Sequence, residues 1–269
     1  MSAYLDLRRA PLRLAMTHSP SPVSRALRKL AVLGFVFAAS CRPLLCAGRQ
    51  ELGPAPAWLP KIPEGYGRPF EPGPKLGVQD RRLRLPSGQT CVPDAPACAA
   101  ELQSLKGQPL VLELDERLQM ADLSVALATL GLALEPAQQA CLEAWDGKER
   151  RCIPFRPFSG EEFGAWLDAD KPLGKLRVVM RSDGLEVVTD RGKIPGPDRH
   201  GPSLPSLGSR PDYAGLEDAA SRLKSRFPDE TTAGLVPSAS IPVAQAARVL
   251  ALLSGPGGDR FEETFLVYP

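Results

Sequence analysis

The sequence predicts an α+β protein built from two tandem small α/β sandwich repeats, each ordered hairpin, helix, strand, helix, strand, with a disulfide-closed hairpin between them. Two observations carry that expectation. A frame opening on Pro93-Asp94 and reaching Leu105-Lys106 returns about 120 residues later, opening on Pro211-Asp212 and reaching Leu223-Lys224, and each copy leads into an apolar run and a second amphipathic stretch. Between the copies, Cys141 and Cys152 flank Asp146-Gly147, a dipeptide that favours a two-residue hairpin turn.

Five segments follow. Residues 1–40 read as a signal peptide: Arg25, Arg28 and Lys29 form a basic region, and residues 30–39 an uncharged apolar run ending in Ala38-Ala39-Ser40-Cys41. Met16 as the true start would leave a more compact signal. Ten apolar residues fall short of the ~20 that a membrane-spanning helix needs, so a single-pass anchor is the lesser alternative. Small residues before Cys41 resemble a lipobox, which makes Cys41 the candidate lipidation site, although Ala38 stands where Leu is usual and cleavage at Ser40 or Gly48 also fits. Residues 41–74 form a Pro-rich tether with seven prolines between 53 and 74. It either extends as polyproline II or packs back through Trp58, Tyr66 and Phe70.

The first repeat spans 75–135. Residues 76–85 read as a strand in which Leu83 and Leu85 alternate with arginines. Asp94 is placed to cap a helix with Pro96 in its first turn. Cys98, Leu102 and Leu105 lie on one helical face, as do Leu216, Ala220 and Leu223 in the second copy. Residues 109–114 form a buried strand, and 118–130 a second helix.

Residues 136–174 are an insert. Counting outward from Asp146-Gly147 opposes Trp145 to Lys148, Glu143 to Arg150 and Cys141 to Cys152, with an ion pair between the middle two; a helix over 135–145 is the competing expectation. Ser159-Gly-Glu-Glu162 is a capping-box pattern opening a short helix over 159–168, with Phe163, Trp166 and Leu167 as its apolar face. The second repeat, 175–269, begins with a hairpin around Ser182-Asp183-Gly184. It continues through a Pro-rich loop, a helix from 212, a strand over 232–236, a helix over 241–253 and a closing strand over 261–267.

An oxidising compartment makes disulfides reasonable, and spacing assigns Cys91 to Cys98 and Cys141 to Cys152. Loss of the signal removes six of 33 basic and one of 31 acidic residues, leaving 27 and 30, or net −3. The basic surplus thus belongs to the signal and does not point to nucleic acid. With His18 gone, only His200 remains beside the cysteines, so neither a metal site nor a cofactor is expected.

Catalytic patterns are sparse. His200 sits in a loop of turn formers, Ser221-Arg-Leu-Lys224 falls within an amphipathic helix with no Lys-Thr-Gly after it, and Gly255-Pro-Gly-Gly-Asp259 is a turn. Glu113, Asp115 and Glu116 cluster at a strand end, where an acid–base pair of a secreted hydrolase acting on wall or polysaccharide competes with a solvated turn in which Asp115 caps the next helix. The expected function is that of a non-enzymatic, exported binding or adaptor module whose partner is an envelope protein or peptidoglycan. Strand addition at an open edge of the last strand, at Phe265 and Val267, is the expected mode of capture.

The order hairpin (176–194), helix (212–227), strand (232–236), helix (241–253) and strand (261–267) resembles the periplasmic domain of the ExbD/TolR family of biopolymer-transport proteins. So does Leu110-Val-Leu-Glu-Leu-Asp115 followed by Leu118-Gln-Met-Ala-Asp-Leu-Ser-Val-Ala-Leu127. The resemblance implies a periplasmic binding domain, here duplicated. The family's proton-coupled motor role rests on an Asp in an N-terminal membrane helix, and residues 30–41 contain no acidic residue, so that role does not carry over.

Overall fold

Two hairpins, each followed by a helix, a strand, a helix and a strand, contribute to one mixed sheet in the computed structural model, which describes residues 56–92, 95–135, 137–169 and 175–268. Cys41, Cys46, the apolar run 30–39 and Pro93-Asp94 lie outside these residues. The described part begins with β1 (Arg68–Pro69), β2 (Lys75–Gln79), β3 (Arg82–Arg84), β4 (Thr90–Cys91) and α1 (Pro96–Leu105). Next come β5 (Val111–Leu112), a 3₁₀ turn (Met120–Asp122), α2 (Ser124–Ala133), β6 (Ala140–Trp145), β7 (Arg150–Phe158) and α3 (Gly160–Asp168). The remainder is β8 (Leu176–Arg181), β9 (Gly184–Thr189), β10 (Gly192–Lys193), β11 (Leu204–Pro205), α4 (Tyr213–Arg226), β12 (Thr232–Pro237), α5 (Val243–Ser254) and β13 (Glu263–Val267).

The segment expected as one strand over 76–85 is a hairpin. Asp80 and Arg81 form its two-residue turn, both at positive φ (50° and 63°), the geometry that matches the twist of the flanking strands. Asp tolerates that region and no glycine marks it, which is why the turn was not legible. The second hairpin, β8 with β9, stands where the sequence placed it.

The sheet order is β10-β9-β8-β12-β13-β7-β6-β5-β2-β3-β4. β2 runs parallel to β5 and β5 to β6; β8 runs parallel to β12 and β12 to β13. β7 joins the halves, antiparallel to β6 and parallel to β13. Ahead of β13, β1 pairs the same side of β7, with Arg68 opposite Cys152. The Pro-rich segment is therefore packed rather than extended from residue 56 on: Leu59 and Ile62 are buried, Trp145 N donates to Pro60 O, and Ile62 N donates to Trp145 O.

Alternation along the strands splits the sheet into two faces. Leu76, Leu112, Leu142, Phe155, Val178, Leu235 and Leu266 point into one core shared with α1, α2, α4 and α5. α5 is buried along most of its length, from Val243 to Ser254. The opposite face, here called the outer face, is overlaid by α3, whose Trp166, Phe163 and Leu167 pack on Phe158, Val236, Phe265 and Val267. Ser159 accepts from Glu162 N while Glu162 accepts from Ser159 N, so the capping box is formed. Ser159→Ala is expected to lower stability by about 1 kcal/mol in urea denaturation.

Residues 140–145 are strand, as the hairpin expectation has it, and not the competing helix. Two expectations require correction. The hairpin that residues 140–145 open is joined by a four-residue loop, so that Trp145 faces Arg150, Glu143 faces Cys152 and Cys141 faces Pro154, a slip of two residues from the expected register. The slip preserves the face, and both the disulfide and the Glu143–Arg150 pair survive it. β13 is no edge: β12 and β7 bond to it on either side, and Phe265 and Val267 are buried under α3, so strand addition there has no free main-chain groups to use.

Candidate binding face

The outer face is the side of the sheet that α1, α2, α4 and α5 leave uncovered. It has a charged ladder, two recesses and a half-exposed patch of valines and arginines.

The four-residue loop is organised by Asp146. Its carboxylate is buried and accepts from the N–H groups of Gly65, Lys148 and Glu149 and from Arg151 Nε at 2.9 Å. Burial pushes this carboxyl up, but the Glu149 N–H, the Arg151 guanidinium and the Lys148 and Gly65 N–H groups outweigh it and hold the pKa at about 2. A folded-state value below the unfolded one contributes stability that is present above pH ~4 and lost as pH falls through ~2, about 2 kcal/mol in all. Asp146→Asn is expected to remove that contribution near neutral pH, with wild type and variant converging as urea titrations are taken from pH 5 towards pH 2.

One strand further in, Glu143 is fully buried and receives Arg150 Nη1 at 2.6 Å and Lys75 Nζ at 3.3 Å, while Lys75 also pairs with Glu113. Burial raises the Glu143 pKa, and Lys75 and Arg150 oppose it. For Lys75, burial lowers the pKa but Glu113 and Glu143 outweigh it, so it is raised. A carboxylate this well enclosed is held by its two cationic partners. Glu113 is thereby occupied by Lys75. Asp115 Oδ1 accepts from Arg117 N in a local turn, its backbone oxygen accepts from Leu118 N, and Glu116 N donates to Trp58 O. Glu113 and Asp115 thus have separate partners, and the 3₁₀ turn that follows is capped by Gln119 and Asp122 rather than by Asp115.

The disulfides join the pairs that spacing assigned. Cys91–Cys98 ties β4 to the first turn of α1, with Cα atoms 5.7 Å apart. Cys141–Cys152 joins β6 to β7 across a diagonal of 5.1 Å. It lines a recess of about 390 Å³ whose other walls include Arg68, Glu71, Gln139 and Pro154. A second recess, about 190 Å³, lies beside α3 between Arg156, Phe158, Trp166, Thr232, Glu263 and Phe265. The sequence showed Trp166 and Phe265 as apolar positions but gave no sign that they meet, since β7, α3 and β13 come together only through tertiary pairing.

On the far half of the same face, Val179, Val188 and Val236 are half-buried among Arg177, Arg181, Glu186 and Lys193. Glu186 takes Arg181 at 3.3 Å and Lys193 at 3.6 Å. His200 is exposed, and its N–H donates to Asp198 Oδ1. Ser221 lies in α4, and Lys224 Nζ donates to the Pro228 and Glu230 carbonyls beyond the helix end, a structural role. Among the described residues no group of three His, Cys, Asp or Glu side chains is placed to hold a metal ion, and no helix is long and apolar enough to cross a membrane. Comparison with known proteins adds no relative: no family model, no curated protein and no solved structure matches this chain.

Proposed function

We propose that this chain is an exported bacterial envelope protein acting as a non-enzymatic binding module, and that it engages a protein partner through the outer face of its sheet. The observation that carries the proposal is one spatial arrangement used twice. β3-β2-β5-β6 and β9-β8-β12-β13 have the same order and the same parallel and antiparallel relations, with a helix after each hairpin and another between the parallel strands. Together with the returning Pro-Asp frames, this supports a tandem repeat of an ExbD/TolR-like unit. β6 and β13, the last strands of the two units, flank β7 and run antiparallel to each other. That relation leaves all four repeat helices in one core and both outer faces on one side.

Such a face suits recognition of a folded surface. Strand addition is disfavoured at the sheet ends, because β4 and β10 are two residues long and β4 is tied down by its disulfide. The valine patch offers apolar area ringed by charge, with Arg177, Arg181 and Lys193 against Glu186, which favours an acidic partner. Disulfides are compatible with a location outside the cytoplasm. Periplasmic residence, with attachment through lipidated Cys41, completes the proposal.

Two experiments test it. Arg177→Glu with Arg181→Glu should abolish capture of an acidic envelope protein by the tagged full chain, and undiminished capture by the folded variant would remove this face from consideration. Labelling with a palmitate analogue should be lost in Cys41→Ala; equal labelling would refute lipidation at that residue.

A further inference from the structure

The two disulfides sit in opposite surroundings. Cys91 and Cys98 are 0% and 1% exposed and belong to the hydrophobic core with Leu83 and Leu102. Cys141 and Cys152 both line the recess of about 390 Å³. Val111, Cys141 and Pro154 are directly opposed across β5, β6 and β7, and directly opposed side chains share a face of the sheet, so the recess lies over the row that carries the bridge. Cys152 is the more accessible of the pair: Cys141 is 9% exposed, whereas Cys152 is half-buried. Arg68 stands opposite Cys152 in β1 and lines the same recess, its Nη2 donating to Glu262 O at 3.1 Å, which sets a fixed cation beside the path of an approaching thiolate. Exchange at a disulfide requires access for the attacking sulfur, and electropositive surroundings favour thiolates.

We propose that Cys141–Cys152 is a thiol–disulfide exchange site, attacked at Cys152 by the thiolate of a dithiol oxidoreductase, while Cys91–Cys98 is a structural bridge that does not exchange in the folded protein. In the first step the incoming thiolate bonds to Cys152 Sγ, the Cys141–Cys152 bond breaks, and its electron pair leaves on Cys141 Sγ, which takes up a proton. In the second step the oxidoreductase's other thiolate attacks its own sulfur in the mixed disulfide and releases Cys152 as a thiolate, which takes up the second proton. The oxidoreductase is left as a disulfide, and its two electrons have passed to this chain. The bridge ends on β7, the strand that joins the two halves of the sheet, so exchange acts at the junction of the repeats. The site does not depend on which macromolecule the outer face engages, so either assignment stands if the other fails.

The test uses the oxidised full chain under native conditions and a thioredoxin-class protein whose second active-site cysteine is replaced by serine, which arrests exchange at the mixed disulfide. The trapped complex, digested without reduction and read by mass spectrometry, should carry the probe on Cys152. With a limiting small dithiol, acid quenching and alkylation should show Cys141 and Cys152 reduced at least about tenfold faster than Cys91 and Cys98. That rate should be insensitive to urea below the unfolding transition, as attack on the folded protein requires. A probe found on Cys141 in place of Cys152, no mixed disulfide at Cys152, equal reduction of the two bridges, or a rate that climbs with urea as global unfolding does would each overturn the proposal.

Discussion

Gly234→Val is expected to destabilise the protein by about 3 kcal/mol or more, the largest loss from any single substitution considered. Gly234 sits in β12 opposite Phe265, whose ring covers it: a Cβ at 234 would lie 2.9 Å from Phe265 Cζ and closer still to Cε2. The ring cannot simply swing aside, because Phe158, Trp166 and Phe163 surround it with centroids 4.5, 4.7 and 6.3 Å away. Accommodating the new side chain means shifting α3 or pushing the ring into the recess beside it. For a folded unit of this size the melting temperature should fall by roughly 6–12 °C. Phe265→Leu should relieve part of the clash, so the double variant is expected to lose less than the sum of the two singles. Additive losses would show that the ring does not occupy the space above Gly234.

Removing the Cys141–Cys152 bridge by Cys141→Ala with Cys152→Ala is expected to cost about 3 kcal/mol, from the chain entropy of the loop it closes, 11 residues apart in sequence. Urea denaturation with and without reductant provides the check: wild type should move to the variant's midpoint on reduction of this bridge, while the variant should respond only through Cys91–Cys98. The same comparison bears on compartment, because a protein that draws this much stability from its bridges should accumulate poorly when expressed without an export signal in a reducing cytoplasm.

Much of the fold was legible where local chemistry decides it. Ser159 and Glu162 announced α3, and Asp212 announced α4, whose cap it forms by accepting from Gly215 N at 2.9 Å. The buried stripe of Cys98, Leu102 and Leu105 faces the core, as does that of Leu216 and Ala220. The two cysteine pairs followed from spacing and compartment. What was not legible depends on contacts distant in sequence or on turns without their usual residues. The Asp80-Arg81 turn contains no glycine. The slip at Asp146-Gly147 arises because the Asp146 side chain gathers three N–H donors and Arg151, which favours a four-residue loop over the two-residue turn its sequence suggests. β13 read correctly as a strand, yet nothing local says that β7, about 110 residues earlier, pairs with it. For that reason Phe265 was misplaced at an edge, and its part in the recess with Trp166 and Arg156 went unseen. Glu143 was legible as the partner of Arg150 but not of Lys75, which reaches it from β2 across β5.

Binding through the outer face is tested most directly by in-cell photo-crosslinking of the full chain from Val179, on that face, against the same probe at Leu132, exposed on the helix side. A discrete envelope protein captured from Val179, and little or nothing from Leu132, is the expected result. Capture of wall polymer from Val179 would leave the face in place but replace the partner. Capture from Leu132 alone, or from neither position in a folded and exported protein, would contradict the claim that this chain works through the outer face of its sheet.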